Sequence, residues 1–93
     1  MNEYKEKAVI IGETTYILDH EIDQGGNSSI YKASILGDPR VFAIKILQTT
    51  KSKDKKERFL KEISFCERVA HPNVVPIYGH SEIDKHLCYV MPL

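Results

Sequence analysis

No apolar run in this 93-residue chain lasts more than a few residues, so nothing in it approaches the length of a membrane-crossing helix. Its 13 basic and 13 acidic side chains cancel, and without a net field there is no electrostatic case for nucleic acid or an anionic membrane as partner. The two cysteines, Cys66 and Cys88, are too few for a disulfide framework and read as reduced packing thiols. Together with His20, His71, His80 and His86 they show no ligand spacing typical of zinc, so no metal site on protein ligands is expected. The opening Met1-Asn2-Glu3-Tyr4-Lys5-Glu6-Lys7 lacks the basic-then-apolar layout of a secretory leader, which makes a cytoplasmic setting the expectation.

What is present is a globular composition, 42% hydrophobic and 28% charged, in a chain long enough for one core. Val9-Ile10-Ile11 reads as a short lead-in strand and Thr15-Tyr16-Ile17-Leu18 as a first sheet strand. Ser29 to Ile35 reads as a second, followed by a turn at Gly37-Asp38-Pro39-Arg40. Arg40 to Leu47 is a third, with Val41, Ala43, Lys45 and Leu47 on one face and Phe42, Ile44 and Ile46 on the other. Phe59, Ile63, Cys66 and Ala70 recur at helical spacing, Asp54 with Glu57 is a candidate capping pair, and His71-Pro72 ends the helix. Val74 to Tyr78 and Leu87 to Met91 read as two more strands joined around Gly79 to Lys85, with Pro76 placing the first at an edge or bulge. The expected fold is therefore α+β: a five-stranded antiparallel sheet with one helix after the third strand, and an extra short N-terminal strand. Residues 1–14 form the lead-in and 15–93 the domain proper.

Two features carry chemistry. The segment Ile22-Asp23-Gln24-Gly25-Gly26-Asn27-Ser28-Ser29-Ile30 is a flexible turn between apolar strands, able to lay backbone N–H groups over phosphates. It is also readable as a plain hairpin. Lys45 stands mid-strand among apolar neighbours, where its ammonium needs an anionic partner unless it snorkels from an edge. Glu62, just before Ile63 in the helix, lies at the border of the packed face and is the candidate partner; the bland alternative is one more solvated charge. Ser28, Ser29, Ser34 and Thr49 to Ser52 are ordinary turn and cap residues as well as possible phosphate acceptors.

Turn, strand lysine, helix glutamate, His71-Pro72-Asn73-Val74-Val75 and Tyr89-Val90-Met91 follow in the order and spacing of a protein-kinase N-terminal lobe. From about Thr15 to Leu93 the chain resembles the N-terminal lobe of a eukaryotic-like Ser/Thr protein kinase. Against Gly-x-Gly-x-x-Gly-x-Val, Gly25 takes the central glycine and Ile30 the valine, while Asp23 and Ser28 replace the outer glycines. The resemblance implies an ATP site with a Lys45–Glu62 ion pair directing the ammonium to the α- and β-phosphates. It implies Ile22, Ile30, Ala43 and Val75 around the adenine, Met91 as gatekeeper, and Pro92 offering its carbonyl from the start of the hinge. Cys66 and Ile77 take the upper two places of the regulatory spine. ATP and Mg belong to a complete two-lobed domain, whose His-Arg-Asp and Asp-Phe-Gly motifs this sequence lacks. The expectation is an ATP-binding lobe inactive by itself, its lower face (Cys66, Val75, Ile77, Met91) covered by a C-terminal lobe, another protein or a second copy. A stand-alone regulatory half-kinase and an unrelated α+β interaction domain remain the alternatives.

Overall fold

The computed structural model describes residues 4–69 and 76–93, and shows six antiparallel strands and one helix among them. The strands are β1 (Ala8–Ile11), β2 (Thr14–Gly25), β3 (Ser28–Ser34), β4 (Val41–Leu47), β5 (Gly79–Ile83) and β6 (His86–Pro92); the helix is α1 (Lys53–Arg68). Sheet order is β1-β2-β3-β4-β6-β5. The lead-in strand is thus a full member of the sheet, pairing from Ala8 opposite Ile17 to Ile11 opposite Thr14. The expected α+β fold stands, with six strands where five plus a lead-in were foreseen.

Period-two alternation divides the sheet into two apolar faces. One carries Leu18, Tyr31, Ala33, Phe42, Ile44, Ile46, Cys88 and Val90, all buried, together with Val9 and Ile11 from β1 and Ile83 from β5. The first and last strands in the order share this core because the sheet curls until its two edges meet. Gly79 marks the meeting point: a Cβ there would lie 2.8 Å from Cγ2 of Ile11. Tyr4 plugs the curl, its ring edge-on to Tyr31 at 5.8 Å and to His86 at 6.1 Å. The chain after it is tied down by Glu6 N–H donating to Leu18 O and Leu18 N–H to Lys7 O.

The other face holds Leu47 and Tyr89, against which α1 buries Phe59 and Ile63. Burying side chains of this size stabilises the docked helix by roughly 1.5–3 kcal/mol apiece. The helix begins at Ser52, whose extended backbone (φ −85°, ψ 109°) puts its Oγ 3.3 Å from the Lys55 N–H that it accepts. This corrects the expected Asp54–Glu57 cap. A capping side chain must precede the first helical residue, and Asp54 already lies inside the first turn, where its charge favours the helix N-terminus instead. The helix closes at Arg68, and Ala70, the last member of the expected stripe, lies outside the described residues.

The larger correction concerns the fifth strand. Apolar Val74 to Tyr78 were expected to form it and Gly79 to Lys85 to connect. Instead Gly79–Ile83 is the strand and Pro76, Ile77 and Tyr78 lead into it, while Val74 and Val75 lie outside the described residues. An edge strand buries little, and β5 buries only Ile83, so its polar sequence hides its strand character. The connection is just Asp84-Lys85, with Ile83 paired to His86 and both loop residues at positive φ (49° and 72°). Such a two-residue loop matches the twist of the strands but normally recruits glycine or asparagine.

Candidate phosphate-facing site

Lys45 lies mid-strand in β4, paired in register with Ile30 of β3 on one side and Tyr89 of β6 on the other. All three side chains point to the helix-bearing face. Helix α1 is held there by Phe59 and Ile63, and this packing brings Glu62, between them on the helix border, over the sheet. Glu62 Oε1 accepts from Lys45 Nζ at 3.1 Å and from the Tyr89 hydroxyl at 2.5 Å. The ion pair is half-covered, with side-chain exposures of 25% for Lys45 and 41% for Glu62, so water screens it and its net worth is on the order of 1 kcal/mol or less.

Tyr89 sequence reasoning treated only as a strand residue. It is 4% exposed, its ring 5.3 Å from that of Phe59 and 5.8 Å from Lys45 Nζ. Burial, and next the hydrogen bond given to Glu62, push its phenol well above the ordinary tyrosine range. A buried tyrosine hydroxyl needs an acceptor, which is the signal that was available. Which acceptor it takes depends on register and helix docking.

The turn joins β2 to β3 through Gly26-Asn27, with Gly25 paired to Ser28. Gly26 takes the positive φ (58°) at the first central position, where a two-residue hairpin favours glycine. Asp23, Gln24, Gly25, Ser28 and Ile30 line one pocket with Lys45. A second cleft, between the turn tip and the helix, is lined by Asn27, Ser28, Lys45, Lys55, Arg58 and Glu62 among others. Lys45 belongs to both. The tip is anchored, since Asn27 Oδ1 accepts from Lys55 Nζ at 2.8 Å and Asn27 O accepts from Gln48 N–H at 2.7 Å.

Not every expected residue joins this face. Ser29 is fully buried on the opposite, core side, where Gln48 Nε2 donates to its Oγ; alternation along β3 dictates this, since Ser28 and Ile30 face the pocket. Ile22 sits in the irregular step between Glu21 and Asp23, 42% exposed, and does not line the turn pocket. Ala43 is buried and pairs with Met91, one step along from Lys45 and Tyr89 on the same face. Pro92 is exposed at the end of β6, and Val75 lies outside the described residues.

With this geometry in view, comparison with known proteins is decisive: the protein kinase domain family matches residues 16–93. The chain belongs to that family. It makes up the N-terminal part of a kinase domain. It is 31% identical over 78 residues to serine/threonine-protein kinase 1 of Arabidopsis thaliana, covering 84% of this chain and 9% of that protein. It is 36% identical over 75 residues to the human serine/threonine-protein kinase tousled-like 1, covering 74% of this chain and 10% of that one. The chain thus spans about a tenth of the length of these curated relatives. A crystal structure of the Mycobacterium tuberculosis PknI kinase domain, in a double-mutant form, overlays with a TM-score of 0.67 at 21% identity, covering 91% of this chain and 34% of that one. That likeness shows the fold.

A kinase domain implies ATP and Mg, and the residues fit them unequally. Lys45 offers a cation to phosphate on the turn side, and a Cβ on Gly25 or Gly26 would meet nothing within 4 Å, so the turn has room beside it. Asp23 lines the same pocket, and a carboxylate beside a polyanion is unfavourable unless it turns to solvent. Among the described residues no group of three or more His, Cys, Asp or Glu side chains converges as metal ligands. Nor is any helix among them long and apolar enough to cross a membrane.

Proposed function

We propose that this chain is the ATP-binding N-terminal lobe of a serine/threonine protein kinase, in which Lys45 holds the α- and β-phosphates and Glu62 aims it. The observation that carries the reading is the position of the Lys45 ammonium, shared between the turn pocket and the Glu62 carboxylate. When bound, ATP with Mg supplies the phosphoryl group for transfer to protein hydroxyls in a complete domain. This chain's own residues bind and orient: Gly25 and Gly26 allow backbone N–H groups near phosphate, and Ile30, Ala43 and Met91 offer apolar surface for the base. Ser29, turned to the core, is not part of that surface.

The base that would take the hydroxyl proton is not supplied by His-Arg-Asp in this sequence, nor are metal ligands by Asp-Phe-Gly. The chain alone therefore transfers no phosphate. The test is a titration of the purified 93-residue chain with ATP by backbone NMR. Shifts confined to residues 23–30, Lys45 and Met91, lost in Lys45→Met, support the reading. No shift at millimolar ATP, or identical shifts in Lys45→Met, overturns it.

A second reading concerns the neighbouring apolar edge. Cys66, Ile77 and Met91 are only half-buried beside the Phe59–Tyr89 cluster. Covering that edge favours association, and in a kinase domain the natural cover is the C-terminal lobe. Sedimentation velocity checks it: a strictly monomeric chain at high concentration speaks against self-association, and failure of an added C-terminal lobe to bind speaks against the cover.

A further inference from the structure

The Lys45–Glu62 pair has a third member. We propose that Tyr89 is a positioning residue, a rigid post that holds the Glu62 carboxylate over Lys45 and so keeps the ammonium aimed at the turn. The functional half of this inference rests on the reading of Lys45 as the phosphate contact.

Glu62 by itself is poorly held. Its side chain is 41% exposed, it projects from the border of α1, and apart from Tyr89 it is drawn inward by the end of a flexible lysine. Left with that one contact, a glutamate spends much of its time in water, because the entropy lost in ordering two long side chains about cancels their screened attraction. Tyr89 changes the balance. Its ring is fixed on a strand inside the sheet, wedged at 5.3 Å against Phe59, and has few rotamers to lose. Its hydroxyl donates to Oε1, the oxygen that also takes Lys45 Nζ. The same ring stands 5.8 Å from that ammonium, near enough for its π-face to attract the cation. One buried side chain therefore touches both partners of the link.

Register makes this possible. Lys45 and Tyr89 are directly opposite on β4 and β6, and Phe59 and Glu62 are three apart, adjacent on one side of the helix. The Phe59 ring packs on Tyr89 and the Glu62 carboxylate meets its hydroxyl. The helix thus reads the tyrosine along its whole length, apolar body first and polar tip second. Phenylalanine at position 89 would keep the first contact and lose the second.

The test uses the full 93-residue chain and Tyr89→Phe, Glu62→Gln and the double variant. The population of the link is read from the side-chain NOE between Lys45 Hε and Glu62 Hγ, without nucleotide. We expect Tyr89→Phe to stay folded, by circular dichroism, and to lose more than half of that NOE. ATP affinity should fall about threefold to tenfold, the worth of one ordinary hydrogen bond, and by no further factor when Glu62→Gln is already in place. An NOE unchanged in Tyr89→Phe overturns the positioning role whatever ATP does. An affinity loss of the same size with and without Glu62→Gln also overturns it. If the NOE falls but the wild-type chain binds no ATP, the post is upheld and the phosphate reading of Lys45 fails by itself.

Discussion

Replacing Gly79 with alanine tests the closure of the sheet. Gly79 opens β5, and its φ lies outside the left-handed region, so an alanine meets no backbone strain there. It meets Ile11 instead. The new methyl would lie 2.8 Å from Ile11 Cγ2, against about 3.5–4.0 Å for carbon atoms in ordinary contact. Something must move by roughly 0.7 Å or more. Ile11 cannot simply swing away: the clash is with the branch at its Cβ, and the side chain is buried in the principal core. Overpacking of this kind costs about 1–3 kcal/mol. The stiffer unfolded chain offsets about 0.4–1 kcal/mol of that. Taken at mid-range the net loss is about 1.3 kcal/mol, and at roughly 4–8 °C per kcal/mol for a domain this size it lowers Tm by roughly 5–10 °C. Gly25→Ala is the internal control, because a Cβ there meets nothing within 4 Å and its φ is likewise unexceptional; it should be neutral or slightly stabilising. Urea and thermal unfolding of both variants read the difference. If Gly79→Ala matches or exceeds the wild type, β1 and β5 do not close on each other and the shared core described above is wrong.

Other perturbations have equally definite outcomes. Lys85→Gly should raise stability by about 1 kcal/mol in urea unfolding, because φ 72° strains lysine and leaves glycine unstrained, and an unchanged midpoint would contradict that turn. Ser52→Ala removes the Oγ acceptor from the first turn of α1 and should cost about 1 kcal/mol, read as a lower urea midpoint at constant slope. Burial pushes the Cys88 thiol up from 9.0 to about 11, so it stays protonated in the folded chain while the unfolded one ionises. Its contribution is therefore intact below pH 9.0 and drains away between pH 9.0 and about 11, at up to roughly 1.4 kcal/mol per unit, and Cys88→Ala should flatten that part of the pH–stability curve. By the same burial Cys88 should resist a thiol reagent under native conditions while the half-exposed Cys66 reacts, and equal rates would refute it.

Much of the site was legible because its residues violate local expectation. Lys45 interrupts an apolar strand, where a cation needs an anion unless it snorkels; Glu62, equally readable as a solvated charge, was the candidate by its place at the helix border and by the family likeness, and the two meet at 3.1 Å. The two faces of β4 were readable by alternation and became the two apolar clusters. Tyr89 was not legible as a site residue, since nothing in a Leu-Cys-Tyr-Val-Met run says which strand will lie opposite or which helix residue will arrive above. Ser29 was assigned to the turn by its place in a motif, whereas alternation along β3 sends its side chain to the core. The β5 strand was missed because an edge strand needs little burial, and the apolar residues just before it drew the assignment away.

Sequence alone determined the class of fold and the family likeness, and through that likeness put forward the lysine–glutamate pair, because periodicity and the order of motifs are properties of the chain itself. Only the tertiary structure decided that the Tyr89 hydroxyl meets Glu62, that Tyr4 plugs a curled sheet and that a side chain at Gly79 would crowd Ile11. Each of these depends on segments distant in the chain being brought within a few ångströms, and that proximity is a property of the packed sheet and helix, absent from any single stretch of sequence.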